Sequence, residues 1–140
     1  MNLKGKPENT LTQIQLNKIL YLHAVWLQGN TMQGARADLS GADLSGAELV
    51  GRRLDQMILR GADLRYADLS HSSMTYADLT HADLSGSCIY GTNLQAAEMF
   101  GANLTGVRDL SALCLNYAEM EEVAMGRRPY FGSDLPDGRA

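Results

Sequence analysis

The sequence predicts an all-β solenoid, a square coil of short stacked strands, with one α-helix in front of it. Three observations carry that prediction. A five-residue phrase built on Ala-acid-Leu returns as "ADLSGADLSGAELVG" at 37–51, "GADLRYADLS" at 61–70 and "YADLTHADLSG" at 76–86. A large aliphatic residue stands at every fifth position from Leu39 to Leu104. Ahead of the repeat, Leu16, Ile19, Leu20, His23, Trp26 and Leu27 recur at helical spacing.

The period excludes continuous regular structure. A helix turns about 100° per residue, so a period of five drifts around its axis and leaves no apolar stripe. A strand alternates faces, so an odd period would send every second leucine to the outside. A chain that turns a corner after each unit satisfies it. Ala and Leu, two residues apart, point to one side of a short extended piece, and the acid between them points to the other. The next two residues, often Ser-Gly, make the turn. If each unit turns roughly 90°, four units close a coil, and coils stack about 4.8 Å apart.

The unit centres Leu39, Leu44, Leu49, Leu54, Leu59, Leu64, Leu69, Met74, Leu79, Leu84, Ile89, Leu94, Met99 and Leu104 form an unbroken run, nearly all leucine, in a recurring A(D/N)LXX phrase. This run resembles the signature of the pentapeptide-repeat family. The resemblance implies a right-handed quadrilateral β-helix, here with an N-terminal α-helical cap. After Gly106 the register slips by one residue and resumes at Leu110, Leu115, Met120 and Met125. The resemblance therefore covers about 37–127.

In order along the chain, residues 1–9 are polar and read as a flexible N-terminus. Residues 10–30 read as the capping helix: Thr10 with Gln13, or Thr12 with Gln15, offers a capping box, and Gly29-Asn30 ends the helix. A bare solenoid rim exposes unpaired backbone and an open core, so a helix placed before the first coil is a natural lid. On that reading His23 and Trp26 are packing residues. The β-helix spans 31–127, clean over 37–106 and irregular over 107–127. Residues 128–140, rich in Gly, Pro and charge, read as a tail, with Tyr130, Phe131 and Leu135 as anchors for it.

The unit centres and the mostly Ala residues two before them fill the coil. Arg52 and Met57 break the small-residue row, and a buried unpaired Arg52 is too costly, so a distortion or an outward swing is expected there. Cys88 should point outward and Cys114 should fall on a different face. Two cysteines make no disulfide framework, and reduced thiols in a cytoplasmic location are expected. No apolar run is long enough to span a bilayer, and no signal peptide is expected.

Functional candidates lie on the outside. The acids Asp38, Asp43, Asp63, Asp68, Asp78, Asp83 and Glu98 fall into columns, with Asp43, Asp63 and Asp83 on one face and Asp38, Asp78 and Glu98 on the next. Short acids also suit this backbone by bonding nearby main-chain groups. Residues 37–106 hold nine acids against Arg52, Arg53, Arg60 and Arg65, so the repeat is negative. Tyr66, His71, Tyr76 and His81 occupy successive corners of about one coil, as a partner surface or as rungs that stabilise the turns. Leu113, Leu115, Tyr117, Met120 and Met125 form an apolar end that either the tail folds over or a second chain meets through a two-fold axis, the oligomer being expected.

No catalytic, metal or cofactor residue is expected. The chain has no phosphate loop, CxxC or HExxH, and convex faces spread side chains apart. The expected function is non-enzymatic binding of a host protein through an acidic solenoid surface, as an inhibitor or modulator, by DNA mimicry at its most specific. The alternatives are an oligomeric protein that sequesters a small molecule or nucleotide, and a structural scaffold. Neither direct nucleic-acid contact nor membrane contact is expected, and a homo-oligomer is. The family includes relatives that protect DNA gyrase from quinolones, long dimers with many more coils than the roughly 3.5 here. Leu20-x-x-His23-x-x-Trp26-Leu27 is similar to the lid of short phage-encoded members. That resemblance implies a host enzyme, a DNA-binding one among the candidates, or an anti-phage-defence component as the target.

Overall fold

The computed structural model describes residues 11–111 and 113–125, and all structural statements concern these residues. The segments read as a flexible N-terminus and a tail, with Tyr130, Phe131 and Leu135, lie outside them.

The chain forms a quadrilateral β-helix. Each unit contributes one parallel bridge to the unit twenty residues on, from Asp38↔Ile58 through Asp83↔Asn103. Four columns result. Face one runs Asp38, Ile58, Asp78, Glu98, Glu119; face two Asp43, Asp63, Asp83, Asn103, Ala124; face three Glu48, Asp68, Cys88, Arg108; face four Arg53, Ser73, Asn93, Cys114. Backbone bonds such as Leu64 N to Asp83 O (2.7 Å) and Asp63 N to Ala42 O (2.9 Å) hold each coil to its neighbours. Each corner closes with a bond such as that from Ala42 N to Leu39 O at 3.0 Å. The third residue of that turn is left-handed, at φ 68° for Gly41 and φ 60° for Tyr66. Glycine takes that conformation without steric cost, which is why Ser-Gly recurs at the corners.

The unit centres and the residues two before them point inward and build one continuous core, from Leu64, Leu69 and Met74 at its middle to Leu115 near its end. The register slip falls between Arg108 and Cys114: Arg108 still pairs with Cys88 twenty residues back, whereas Cys114 pairs with Asn93 twenty-one residues back.

The helix α1 spans Gln13–Leu27, slightly inside its expected bounds. Thr12 is its N-cap, in a reciprocal capping box with Gln15: Gln15 N donates to Thr12 Oγ1 (3.1 Å) and Thr12 N to Gln15 Oε1 (2.8 Å). The Thr12–Gln15 pairing therefore holds of the two that the sequence allows. Leu16, Leu20 and His23 are buried, and the two leucines join the coil's core; Trp26 and Leu27 are half-buried. No helix among the described residues is long and apolar enough to cross a membrane.

Candidate interaction surfaces

The aspartates that alternate with the inward residues are held in one way. Asp38 Oδ1 accepts from Ser40 N (3.1 Å) and Ser40 Oγ (2.7 Å). Asp43 with Ser45, Asp68 with Ser70, Asp78 with Thr80 and Asp83 with Ser85 repeat the arrangement. Asn93 and Asn103 accept the corresponding N–H, at 3.0 and 2.9 Å. The carboxylate thus caps its own corner, which explains why Asp and Asn interchange at this position. Hydrogen bonds from the Ser40 hydroxyl and N–H hold the Asp38 carboxyl below its ordinary range, and those from Ser70 do the same for Asp68.

The columns are less uniformly negative than the sequence suggests. Arg65 folds back on Asp63 through two bonds, Nε to Oδ1 (2.9 Å) and Nη2 to Oδ2 (2.7 Å). That fork lowers the Asp63 pKa and raises that of Arg65. It places a positive charge midway along face two. On face one, Arg60 reaches Asp78 at 3.4 Å. Faces one and two still meet at a shared edge with Asp38, Asp43 and Asp83 around it, each carboxylate fixed in direction by its corner.

Tyr66, His71, Tyr76 and His81 lie on four different corners. Tyr66 and His81 flank face two, while His71 and Tyr76 flank face four, so no single flat partner meets all four. Three of the rings lie against glycine corners of the next coil. A Cβ at Gly86 would stand 2.5 Å from the Tyr66 ring, one at Gly91 2.8 Å from His71 Nδ1, and one at Gly101 2.3 Å from His81 Nδ1. His71 also meets Tyr90 edge-on at 4.9 Å, and His81 meets Phe100 at 5.5 Å. These contacts make the rings rungs between coils. At Tyr66, His71 and His81 they offset the strain of left-handed backbone at a non-glycine residue, φ 58–60°.

The apolar C-terminal end needs correcting. Leu113 and Leu115 are buried at 4% and 1% exposure, because the shifted register sends both inward. They cannot contact a second chain. Met120 and Met125 are half-buried against the core, and of the five residues only Tyr117, 84% exposed, projects freely.

The junction of α1 with the first coils was only partly visible in the sequence. His23 is fully buried. Ala37 N donates to its Nδ1 at 3.0 Å, so that nitrogen carries no proton. Nε2 therefore bears the hydrogen and donates to the Asp55 carbonyl at 2.8 Å. Burial lowers the His23 pKa, against the opposing pull of the Asp55 bond. Asp55 is itself tied to the next coil, accepting from Ser73 Oγ, Thr75 Oγ1 (2.6 Å) and Thr75 N (3.0 Å). Burial works against its ionisation, and these bonds outweigh it, leaving the pKa lowered. Arg52 takes the outward swing: it is exposed, and its Nη2 donates to Asn17 Oδ1 on α1 at 3.0 Å. Met57, in the same kind of slot, stays buried. The sequence signal was there in Arg52-Arg53-Leu54-Asp55-Gln56, the unit that departs furthest from the repeat.

Open grooves flank this junction. One of about 280 Å³ is lined by Leu20, Tyr21, Ala24, Gly51, Arg52 and Arg53. Another lies between α1 and face three, beside Asn17, Glu48 and Asp68. Cys88 points outward, with its sulfur 3.1 Å from Ser70 Oγ. Cys114 lies on face four, as expected. Among the described residues no cluster of His, Cys, Asp and Glu is arranged to hold a metal.

The profile of pentapeptide repeats matches residues 37–75, 59–89 and 77–108, eight copies in all. A pentapeptide repeat protein from the Arabidopsis thaliana thylakoid lumen is 28% identical over 76% of this chain and 80% of its own, with a TM-score of 0.45. One from the cyanobacterium Cyanothece 51142 is 32% identical over 69% of each chain, with a TM-score of 0.36. A third, from Nostoc PCC 7120, is 30% identical over 70% of this chain and 71% of its own, with a TM-score of 0.39. No curated protein matches.

Proposed function

The chain belongs to the pentapeptide-repeat family, and from that premise we propose that it is a non-enzymatic binding protein. Its acidic edge between faces one and two engages a basic surface on a host protein and modulates that protein. The observation that supports this most is the fixing of Asp38, Asp43 and Asp83 by their corner hydrogen bonds. Carboxylates held in direction on a rigid ladder lose little side-chain freedom on binding, so the charge is preorganised for a partner.

DNA mimicry is the finer form of this reading. Duplex DNA carries about one negative charge per 1.7 Å of axis. A column of this rod offers at most one per roughly 4.8 Å, and Arg60 and Arg65 offset part of it. Mimicry therefore extends to a short patch of phosphates rather than a duplex turn. In this reading α1 serves as the end cap of the rod.

Affinity capture from host lysate identifies the partner. Simultaneous Asp38→Lys, Asp43→Lys and Asp83→Lys substitution is expected to abolish its binding and its salt dependence. Unchanged affinity and an unchanged salt slope would sink the acidic-edge reading. Competition by duplex DNA for the same partner distinguishes mimicry from general charge attraction.

A further inference from the structure

Face four has the opposite chemistry from faces one and two. Among the described residues its outward column, Arg53, Ser73, Asn93 and Cys114, holds no acid. Arg52 leaves the coil interior at the edge between faces three and four, lining one groove with Glu48 and Asp68 and another with Arg53. Asp55, at the corner of this face, has its carboxylate turned onto Ser73 and Thr75 of the next coil. The edges carry exposed aromatic residues: Tyr76 at 64% and Tyr117 at 84% on one side, with Tyr21 of α1 at 68% beside the rim. Arginine and tyrosine with uncharged polar residues between them, and no acid or lysine in the column, is the composition of a protein-binding surface. The groove bounded by Leu20, Tyr21 and Ala24 adds an apolar slot of about 280 Å³ that Arg52 and Arg53 also line.

We propose that face four, with the adjoining edge of α1, docks a short acidic segment of another protein. Its carboxylates meet Arg52 and Arg53, and one apolar side chain enters the groove between α1 and the first coil. Charge complementarity selects the occupant: Arg52 and Arg53, set against the single carboxylate of Asp55 at the edge of this face, favour carboxylates and repel basic chains. The column spans three coil steps, about 14 Å, which matches four or five residues of extended chain. This surface lies on the side of the coil opposite face two, so it stands whether or not the acidic edge has a partner.

The test is an NMR titration of the uniformly 15N-labelled full-length protein with the peptide acetyl-Glu-Glu-Leu-Glu-Glu-amide. Saturable shifts are expected at Tyr21, Gly51, Arg52 and Arg53, and they should weaken as salt is raised. Arg53→Glu should lower the affinity at least tenfold, and because Arg53 is exposed the dispersion of the spectrum should be retained. Tyr21→Ala should weaken binding of the leucine peptide more than that of its all-glutamate counterpart. Asp83→Lys, on the opposite face, should leave the dissociation constant within twofold. The proposal is overturned by the absence of saturable shifts, by shifts confined to faces one and two, or by equal binding to Arg53→Glu. An oligothymidylate that binds the same residues more tightly than the peptide would also overturn it and assign the face to nucleic acid.

Discussion

Replacing His23 by alanine tests how the helix is fastened to the coil. The substitution orphans the buried Ala37 N–H and removes the donor to the Asp55 carbonyl. An unsatisfied buried polar group costs about 1–3 kcal/mol. Asp55 is part-exposed, so water can replace its donor and the lower end of that range applies there. The imidazole also stacks on Trp26 at 5.7 Å and leaves a void when removed. The expected loss is about 3–5 kcal/mol. Trp26 is the single tryptophan and lies on α1, so its fluorescence during urea titration reports helix docking, while far-UV circular dichroism follows the whole chain. In His23→Ala the fluorescence transition should move to lower urea and separate from the dichroism transition. The wild type adds a pH signature. Its folded-state imidazole titrates below the ordinary 6.5, so the unfolded chain binds the proton more readily. Docking stability is therefore full above about pH 6.5, falls as pH drops from 6.5 toward the lowered folded value, and levels off beneath it. His23→Ala should lose that dependence. A loss below about 1 kcal/mol with coincident transitions, or an unchanged pH profile, would refute the two-bond account of the junction.

Leu69→Ala, at the middle of the core, should cost about 2–5 kcal/mol in urea unfolding; a loss under about 1 kcal/mol would mean that the coil collapses around the cavity. Gly101→Ala should destabilise more than Gly51→Ala. Both sites have φ 68°, but only at Gly101 does the new Cβ meet the His81 ring. His81→Ala should rescue part of the Gly101→Ala loss in a double-mutant cycle, and strict additivity would dismiss the ring contact. The carboxyls of Asp38, Asp55, Asp63 and Asp68 all titrate below the ordinary 3.8 in the folded chain. Their stabilisation is present above that value and is lost as pH falls through the lowered ones, so acid unfolding should begin below about pH 4. In the Asp38→Asn, Asp68→Asn double variant that onset should shift, and an identical acid transition would remove these carboxylates from the account. Arg65→Ala should raise the apparent pKa of Asp63 in NMR titration, and no change would mean that the Arg65 fork does not persist in solution.

Much of the fold was legible because each feature is local and repeated. The period of five assigned Leu39 through Leu104 to the interior and the residues before them to four outward columns, and the ladder follows that register. The same local logic placed the Thr12–Gln15 box among the two candidates and foresaw the swing of Arg52. Features that depend on residues meeting across coils were hidden. Whether Tyr66 or His81 faces a partner or rests on the glycine corner twenty residues later is decided by ring direction, which the period does not specify. The C-terminal end misled for a related reason. The resumed register already made Leu115 a unit centre and put Leu113 two before it, but only the stacked coils show that both are buried rather than offered at an open end.

By itself, then, the sequence determined the square coil, its interior and the sign of its surface, since a short repeat repeats its own local energetics. The tertiary structure alone decided which charges remain available and what the irregular unit does. Arg65 pairs with Asp63, two residues away, but whether a corner arginine folds back depends on the turn geometry. His23 reaches the Asp55 carbonyl across thirty-two residues of chain, a contact between a side chain and a backbone atom that leaves no periodic trace. Arg52-Arg53-Leu54-Asp55-Gln56 breaks the repeat because it is the place where a helix must be received. That reason is physical: the rim of a solenoid has no next coil to satisfy it, so its residues are chosen for a different neighbour.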